Sequence, residues 1–342
     1  MAERIPVGII NGTSYTGSEL ARLILSHPRF QLCEVTARSA QGQVLSDVFP
    51  HLTTGQLAIT EQVKESKLVF VCLPHGAAAE AIPGLLAEGR RVIDLSADFR
   101  LHDAQTYAAW YKHTHPCPEL LDEAVYGLCE LHHDELREAR LVGNPGCYPT
   151  ATILGLAPAL AKGIIKPDII VDAKSGISGG GRSLSLPNHY SEMNESMDAY
   201  GLEGHRHEPE MEQELARVAK EGTTLRFTFI PHHAPMTRGI LATCYADLIE
   251  PMSDEAVRAL YADFYAGSPF VRLSPRPPAT KWTVGSNSCL IYPTVEQRTQ
   301  RLIVISCIDN LIKGASGQAL QCANILCGLS EETGLMASGM YP

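Results

Sequence analysis

The sequence predicts an α/β domain of the Rossmann type in its first half and an α+β domain with a mostly antiparallel sheet in its second half. Three observations lead to this prediction. The chain has 342 residues, which is long for one hydrophobic core and favours two domains. Apolar runs alternate with helix-like stretches from residue 5 to residue 96, as in βαβ units. After residue 147 short strand-like runs predominate.

The first half begins with the strand-like run IPVGII, followed by the helix-like segment SELARLILSHP. Leu20, Leu23 and Ile24 recur in this segment at helical spacing, and the helix is expected to end before Pro28. The runs KLVFVCLP and RRVIDLS continue the alternation on either side of AAAEAIPGLLAEG. The pattern predicts a parallel sheet with helical crossovers.

The second half contains the strand-like runs DIIVDAKS, LRFTFIPHH, GILATCYADLI and LIVISCID. Helices are predicted around PEMEQELARVAK and SDEAVRALYADFYA. The final stretch, ASGQALQCANILCGLS, has apolar residues at helical intervals, and we expect it to pack back on the first domain.

The composition excludes several classes of partner. The chain has 28 Lys and Arg against 38 Asp and Glu, a formal charge of −10, which repels nucleic acid and anionic membranes. Ten cysteines scattered along a long chain favour free thiols in a reducing cytoplasm over a disulfide framework. No stretch approaches the roughly 18 to 20 apolar residues of a membrane span. We therefore expect a cytoplasmic protein with neither nucleic acid nor a membrane as partner.

The segment VGIINGTSYTGSEL has the layout of a dinucleotide-binding turn, because it places Gly8, Gly12 and Gly17 between a strand and a helix. It is not a strict G-x-G-x-x-G. Asn11 tolerates the left-handed region, and Ser14 can donate a hydrogen bond to phosphate. The alternative is an ordinary βα turn. The predicted cofactor contacts here are Gly12, Thr13, Ser14, Tyr15, Thr16 and Gly17.

The end of the next strand predicts which dinucleotide is bound. NAD-binding folds commonly place an acidic residue about 20 residues after the glycine turn, where it holds the ribose hydroxyl. Arg38 and Ser39 occupy this position in CEVTARSAQG. A cation beside a hydroxyl suits the additional phosphate of NADP, and the alternative is a solvent-exposed arginine.

The segment NPGCYPTA places Cys147 at a turn just before an apolar, helix-like run. A helix N-terminus favours the thiolate, which is the nucleophilic form of cysteine. Gly146 permits a tight turn, and we expect the helix to begin near Pro149, which is tolerated in a first helical turn. The alternative is a buried, unreactive thiol, which the setting of most other cysteines in the chain favours for those residues. Cys147 is therefore the candidate nucleophile.

His205 and His207 precede a helix opened by Pro209, about sixty residues after Cys147. An imidazole can accept and donate the proton of a thiol nucleophile near neutral pH. No C-x-x-C accompanies the pair, so we expect no metal.

A second nucleophile candidate is Ser178, because SGISGGG contains the pattern G-x-S-x-G. A nucleophile elbow needs a strand, a sharp turn and then a helix, whereas GGRSLSLPNHY predicts a glycine-rich loop. We interpret this segment as a flexible loop near the site, with Arg182 available to an anion.

A cysteine nucleophile, a histidine and a nicotinamide site define a narrow chemistry, in which an acyl-thioester accepts or gives a hydride. The sequence resembles the N-acetyl-gamma-glutamyl-phosphate reductases of arginine biosynthesis, relatives of aspartate-semialdehyde dehydrogenase. The motifs that carry the resemblance are VGIINGTSYTGSELARLILSHP, CLPHG, DLSADFRL, VYGLCEL, NPGCYPTA, SGISGGGR, GHRHEPE, PHHAPMTRGI and DNLIKGASGQALQ. One departure is Cys129 in VYGLCEL, where proline is usual, and we expect its consequence to be structural.

The resemblance implies an NADP-binding domain at residues 1–146, completed by a C-terminal helix within 311–342, and a catalytic and dimerisation domain at 147–310. It implies that Cys147 attacks the acyl phosphate of N-acetylglutamyl 5-phosphate, and that NADPH reduces the resulting thioester to the semialdehyde. It also implies a homodimer or homotetramer. His207 is favoured as the acid/base and His205 as a substrate contact, although the order could be reversed.

Further roles follow from membership of the matching motifs. The implied substrate contacts are Arg100, Asn144, Arg182 and His205. The additional cofactor contacts are Leu73, Pro74, Ser178, Gly179 and Asn310. Three alternatives remain: a reductase of another acyl phosphate, such as aspartyl or carrier-bound aminoadipyl phosphate; a non-catalytic NADP-binding regulator; and a serine hydrolase using Ser178.

Overall fold

The computed structural model describes residues 3–341. The chain divides into two compact units. Unit 1 comprises the residues up to Pro145 together with Ala315–Ala337, and unit 2 comprises Gly146–Gly314 with the residues from Ser338 onward.

The strands of unit 1 form one sheet in the order β3-β2-β1-β4-β5-β7-β6, with every pair of neighbours parallel. These strands are β1 (Ile5–Ile10), β2 (Phe30–Thr36), β3 (Ile59–Thr60), β4 (Leu68–Val71), β5 (Arg91–Asp94), β6 (Val125–Tyr126) and β7 (Leu141–Gly143). The helices of unit 1 are α1 (Tyr15–Leu25), α2 (Leu45–Val48), α3 (Ala77–Ala87), α4 (Ala104–Tyr111), α5 (Cys129–Glu138) and α10 (Gly317–Leu326). The parallel sheet confirms the Rossmann-type prediction.

Helix α1 shows why the sequence pattern worked. Leu20, Leu23 and Ile24 are buried, and the helix ends at Leu25, before Pro28, as predicted. It begins at Tyr15, three residues before the predicted segment, because the Ser14 hydroxyl caps it by accepting from the Gly17 N–H at 2.9 Å.

Unit 2 is built on a mixed sheet in the order β12-β13-β14-β11-β8-β10-β9. Its strands are β8 (Ile165–Gly176), β9 (Asp198–Ala199), β10 (Arg226–Ala234), β11 (Ile240–Leu248), β12 (Val271–Leu273), β13 (Cys289–Glu296) and β14 (Arg301–Ile308). Its helices are α6 (Cys147–Ala161), α7 (Tyr190–Met193), α8 (Glu208–Val218) and α9 (Asp254–Phe264). The pairs β8–β10 and β12–β13 are parallel and the others antiparallel, which confirms the mostly antiparallel sheet.

Helix α6 is the central helix of unit 2. It is apolar around its whole circumference, and every residue from Tyr148 to Leu160 is buried, as expected for a helix inside a core. Gly155 lets it approach the sheet closely, since an added Cβ would lie 3.4 Å from the Cβ of Ser306. Burial on all sides fixes the direction of α6 and therefore the place of its first residue.

The unusual Cys129 is the first residue of α5, a position where proline is favoured because the N–H there has no intrahelical acceptor. Leu128 before it has φ −91° and ψ 92°, an extended conformation that a following proline tolerates. The Cys129 side chain lies 3.4 Å from the sulfur of Cys322 on α10. A proline here would fix the backbone angle φ, whereas the cysteine leaves φ free and contacts Cys322 instead.

We expect Cys129→Pro to change the free energy of unfolding by no more than about 1 kcal/mol, because the backbone at the first position of α5 accepts proline. Denaturant unfolding measures this change, and Cys129→Ala serves as the control that removes the sulfur alone. A loss of several kcal/mol for proline beyond that for alanine would contradict the expectation.

Candidate active site

The glycine turn of unit 1 is held between the ends of two strands that flank β1. The Gly12 N–H donates to the Thr36 carbonyl at 2.9 Å, and the Asn11 side-chain amide donates to the Cys72 carbonyl at 2.7 Å. Asn11 has φ 61°, in the left-handed region that the sequence analysis considered for it. The chain order reverses between β1 and β4, and this switch point is where open α/β sheets bind ligands.

The glycines of the turn are required by close packing. An added Cβ at Gly12 would overlap the side chain of Val35, and one at Gly17 would lie 2.7 Å from the Cα of Gly12. The Ser14 hydroxyl caps α1 and donates to the Asn11 carbonyl at 3.1 Å, so its contact with phosphate stays a prediction. The turn therefore brings the N-terminus of α1 to the sheet edge, where N–H groups suit an anion.

The other predicted cofactor residues of unit 1 also lie at the carboxyl ends of the parallel strands. Leu73 and Pro74 follow β4, directly after the Cys72 carbonyl that Asn11 holds. Arg38 and Ser39 follow β2 in the short 3₁₀ helix Arg38–Ala40, and both are exposed. Thr13, Tyr15 and Thr16 form the turn and the first turn of α1.

Arg100 and Asn144 are both buried in unit 1. The Arg100 guanidinium donates from Nε to the Asn144 carbonyl at 2.7 Å and from Nη2 to the Leu95 carbonyl at 3.2 Å. It therefore ties together the chain segments that follow β5 and β7. The Asn144 amide donates to the Ala315 carbonyl at 3.2 Å, while its Oδ1 is buried without a hydrogen-bond partner among residues 3–341. A buried, unsatisfied acceptor is available to a ligand.

Cys147 is the first residue of α6, two residues earlier than the helix start expected near Pro149. The N-cap is Gly146, with φ −67° and ψ 155° and no side-chain cap. This position is the one in which a helix favours a thiolate. The backbone of Gly314 packs against it, since an added Cβ there would lie 2.8 Å from the Cβ of Cys147.

The other cysteines differ from Cys147 in their surroundings. Burial raises the pKa of Cys72 and of Cys244 to about 12, so neither thiol ionises readily. Cys33 and Cys327 are only partly buried, and burial still raises the pKa of each. These four thiols lack the helix N-terminal position that Cys147 has. Cys129 also begins a helix, but it is buried with its sulfur 3.4 Å from that of Cys322, whereas Cys147 is partly exposed.

The two histidines pack against Tyr148, the residue that follows Cys147 in α6. The Tyr148 ring packs edge-on against His205 and His207, with centroids 5.7 and 6.0 Å away, and the two imidazole centroids are 4.8 Å apart. His207 is the N-cap of α8, and Pro209 stands in the first turn, as predicted. The sequence pattern therefore identified residues that come together in unit 2.

His205 has a defined hydrogen-bonding state. Its Nδ1 accepts from the His207 N–H at 3.1 Å, so the neutral ring carries its proton on Nε2. Burial, with the charges of Arg206 and His233, lowers the pKa of His205 to about 4. His205 is therefore a neutral N–H donor at pH 7 and a weak base.

Ser178 does not occupy a nucleophile elbow. After β8 the chain forms a 3₁₀ helix, Ile177–Gly180, and not an α-helix. This turn is held in place, because the Ile177 and Ser178 N–H groups donate to the Met236 and Thr237 carbonyls at 3.0 and 3.2 Å. The segment interpreted as a loop thus begins with a hydrogen-bonded turn. Arg182, just beyond it, is exposed.

Asn310 lies beside this turn. Its Nδ2 donates to the Ser178 hydroxyl at 2.9 Å, and its Oδ1 accepts from the Gly239 N–H at 2.8 Å. Gly179 is adjacent, since an added Cβ would lie 3.8 Å from Nδ2 of Asn310. The three residues assigned from two distant motifs thus form one cluster in unit 2.

Sequence reasoning missed two residues of this site. The Tyr200 hydroxyl donates a hydrogen bond to the Tyr148 hydroxyl at 3.1 Å, and no sequence pattern around Tyr200 predicts this contact. Glu210 is buried and accepts from the Gly146 N–H at 2.7 Å. Glu210 is part of the motif GHRHEPE, from which the sequence analysis assigned roles only to the histidines.

Within residues 3–341, no group of three or more His, Cys, Asp or Glu side chains is placed to hold a metal ion. Over the same described stretch, no helix has both the length and the apolar character needed to cross a bilayer.

Comparison with known proteins places these features in one class. Residues 6–139 match the family described as semialdehyde dehydrogenase, NAD binding domain, and residues 147–310 match semialdehyde dehydrogenase, dimerisation domain. Aspartate semialdehyde dehydrogenase II of Vibrio cholerae has a similar fold, with a TM-score of 0.73 at 14% identity over 96% of this chain and 99% of that one. Aspartate semialdehyde dehydrogenase with NADP from Candida albicans gives 0.68 at 15% identity over 95% and 99%. The fold and the family matches are those of an oxidoreductase of the semialdehyde dehydrogenase class.

Closer relatives narrow the class. N-acetyl-gamma-glutamyl-phosphate reductase of Dehalococcoides mccartyi is 53% identical over 341 residues, which cover 99% of this chain and 100% of the relative. The enzyme of the same name from Pelotomaculum thermopropionicum is 50% identical, with 99% of each chain covered. The chain belongs to the N-acetyl-gamma-glutamyl-phosphate reductase family.

Proposed function

We propose that the chain reduces N-acetyl-L-glutamyl 5-phosphate with NADPH to N-acetyl-L-glutamate 5-semialdehyde and phosphate, as a step of arginine biosynthesis. One observation carries the proposal: Cys147 begins a buried helix beside His205 and His207, in a chain about half identical to reductases of this name. The reaction needs a free thiol, which fits a reducing cytoplasm.

Cys147 is the proposed nucleophile. Its thiolate attacks the acyl carbon and forms a C–S bond. The bond between that carbon and the oxygen that bridges to phosphorus breaks, and phosphate leaves with the electron pair. The position at the start of α6 supports this role, because N–H groups and the helix dipole stabilise negative charge there. The product of this half-reaction is a thioester on Cys147.

His207 is the proposed acid/base. It accepts the proton of the Cys147 thiol before attack and returns a proton when the C–S bond of the thiohemiacetal breaks. His205 is less suited to this task, because it is a neutral donor with a pKa of about 4. Its Nε2–H suits a carbonyl oxygen of the substrate.

The remaining substrate contacts are proposed from burial and charge. Asn144 offers a buried acceptor, Oδ1, and Arg100 and Arg182 offer cations for the phosphate or carboxylate. Two of the Arg100 donors are used on backbone carbonyls, so its contribution includes holding the segment before Cys147.

The residues of unit 1 fit a dinucleotide cofactor. The tightly packed turn at Gly12 and Gly17 has no room for side chains, as a turn that cradles a pyrophosphate requires. When bound, NADPH supplies the hydride that reduces the thioester. Ser178, Gly179 and Asn310 are proposed as further contacts, together with Leu73 and Pro74.

NADP is proposed over NAD because of Arg38. It is exposed just after β2, next to the strand end that holds the Gly12 N–H, and presents a cation where NAD-binding proteins commonly present a carboxylate. We expect Arg38→Asp to raise the KM for NADP by at least about tenfold, a loss of roughly 1.4 kcal/mol, and to change that for NAD far less. Initial rates with each cofactor measure this, and Arg29→Asp, before β2, is the control. Equal effects on both cofactors would remove the case for a 2′-phosphate contact.

The reaction itself is tested in the reverse direction. We expect the purified protein to reduce NADP only when both N-acetylglutamate 5-semialdehyde and inorganic phosphate are present, because phosphate must release the acyl group from Cys147. Aspartate semialdehyde is the control substrate. Faster turnover of aspartate semialdehyde, or turnover that is independent of phosphate, would refute the proposed function.

A second copy of the chain is the proposed macromolecular partner. α6 packs on the face of the unit 2 sheet that carries Cys244, Val304 and Ser306. On the opposite face Tyr245 pairs with Ile303 in register, and both side chains are only half-buried. An apolar sheet face of this kind suits a self-complementary interface. Sedimentation should give a dimer or tetramer, and a monomer at micromolar concentration would contradict this.

A further inference from the structure

A buried carboxylate joins the two helices that carry the proposed catalytic residues. The side chain of Glu210, on α8, is 1% exposed, and its Oε1 accepts from the Gly146 N–H at 2.7 Å. Gly146 is the N-cap of α6 and directly precedes Cys147. The bond spans 64 positions of the chain.

This contact replaces a local cap that α6 cannot form. In a capping box, a Glu or Gln at the third helical position reaches back to the N–H of the N-cap residue. That position in α6 is Pro149, which has no such side chain, and no side chain of α6 caps its start. Glu210 therefore supplies from another helix the acceptor that a capping box would supply locally.

Glu210 stands at the matching position of its own helix. α8 begins at Glu208 with His207 as N-cap, so Glu210 is its third residue. A carboxylate there is stabilised by the dipole of α8, and here also by an N–H at the start of α6. The side chain of Glu210 thus lies at the N-terminus of its own helix and contacts the N-terminus of α6.

We propose that Glu210 is a positioning residue that fixes Cys147 relative to His207 by holding the Gly146 N–H. The inference rests on the proposed function, because it assigns the two residues their roles as nucleophile and acid/base. Gly146 and Cys147 are adjacent, and a shift of the turn moves the sulfur directly. Misplacement of a reacting group by about 1 Å can cost about 100-fold in rate.

Glu214 provides a matched control on the same helix. It is one turn further along α8, it is also fully buried, and it accepts from the Gln213 side-chain amide at 2.8 Å. Substitution at either position removes a buried carboxyl group from α8, and the hydrogen bond to Gly146 is made by Glu210.

The test compares Glu210→Gln, Glu210→Met, Glu214→Gln and Glu214→Met with the wild type and with Cys147→Ser in the phosphate-dependent assay, with melting temperatures measured for each. Gln keeps an oxygen that can accept from Gly146, whereas Met keeps the volume without an acceptor. We expect Glu210→Met to lower kcat by about 100-fold with KM within about threefold, and Glu210→Gln to recover most of it. Both Glu214 variants should keep kcat near that of the wild type.

The proposal is overturned if Glu210→Met and Glu214→Met lower kcat equally, or if Glu210→Gln is as slow as Glu210→Met. Should the Met variant fail to fold, Glu210→Asp carries the test, since it retracts the oxygen by one methylene; a kcat unchanged there also overturns the proposal. If the wild type is active and Cys147→Ser is inactive, the proposed function stands, whatever the kcat values of the Glu210 variants are. An inactive wild type removes both.

Discussion

Cys147→Ser is expected to lower kcat by at least about 10⁴-fold, because a serine hydroxyl is not ionised near neutral pH and cannot form the thioester. The change replaces one sulfur with oxygen at a partly buried position, so the fold should be kept. The assay is phosphate-dependent NADP reduction with N-acetylglutamate 5-semialdehyde, and thermal unfolding shows that the variant is folded.

Two controls separate this effect from a general loss of thiols or of nucleophiles. Cys33→Ser removes another partly buried thiol, whose pKa burial raises, and should leave turnover unchanged. Ser178→Ala removes the hydroxyl that accepts from Asn310 and should retain activity, with any loss appearing as weaker cofactor binding. Near-normal turnover by Cys147→Ser would disprove the thioester mechanism.

The features predicted correctly from sequence depend on residues close together in the chain. The Gly12 turn joins a strand and a helix with a known local pattern, and the periodicity of α1 determined which of its residues are buried. Cys147 was singled out by its immediate neighbours, and the structure places it at a helix start, although two residues earlier than expected. Features that depend on neighbouring residues in this way can be predicted from a single sequence.

The features that were missed depend on contacts between distant segments. The hydrogen bond from Gly146 to Glu210 spans 64 positions, and that from Tyr200 to Tyr148 spans 52. No periodicity encodes such pairs, since the first arises where α6 packs against α8 and the second where α6 meets the segment that follows β9. The hydrogen bonds of the turn at Ser178 were not predictable for the same reason, because its backbone partners, Met236 and Thr237, lie in a loop distant in the chain.

The choice between the two histidines gives the second large effect. We expect His207→Asn to lower kcat by about 10² to 10⁴-fold, because the remaining histidine, His205, is too weak a base to take the Cys147 proton near neutral pH. His205→Asn should raise the KM for the semialdehyde, because the shorter asparagine does not place an N–H donor where Nε2 of His205 lies. It should lower kcat less than His207→Asn, because His205 does not carry the proton of Cys147.

The pH dependence separates these roles. The pKa of His205 is lowered to about 4 from its ordinary value of 6.5, so the ring stays neutral from about pH 5 upward and cannot cause a change in rate between about pH 6 and 8. A limb of the kcat profile in that range should therefore persist in His205→Asn and disappear in His207→Asn. If the limb disappeared in the His205 variant instead, the two assignments would have to be exchanged, and the hydrogen bond from the His207 N–H to Nδ1 of His205 would not describe the working enzyme.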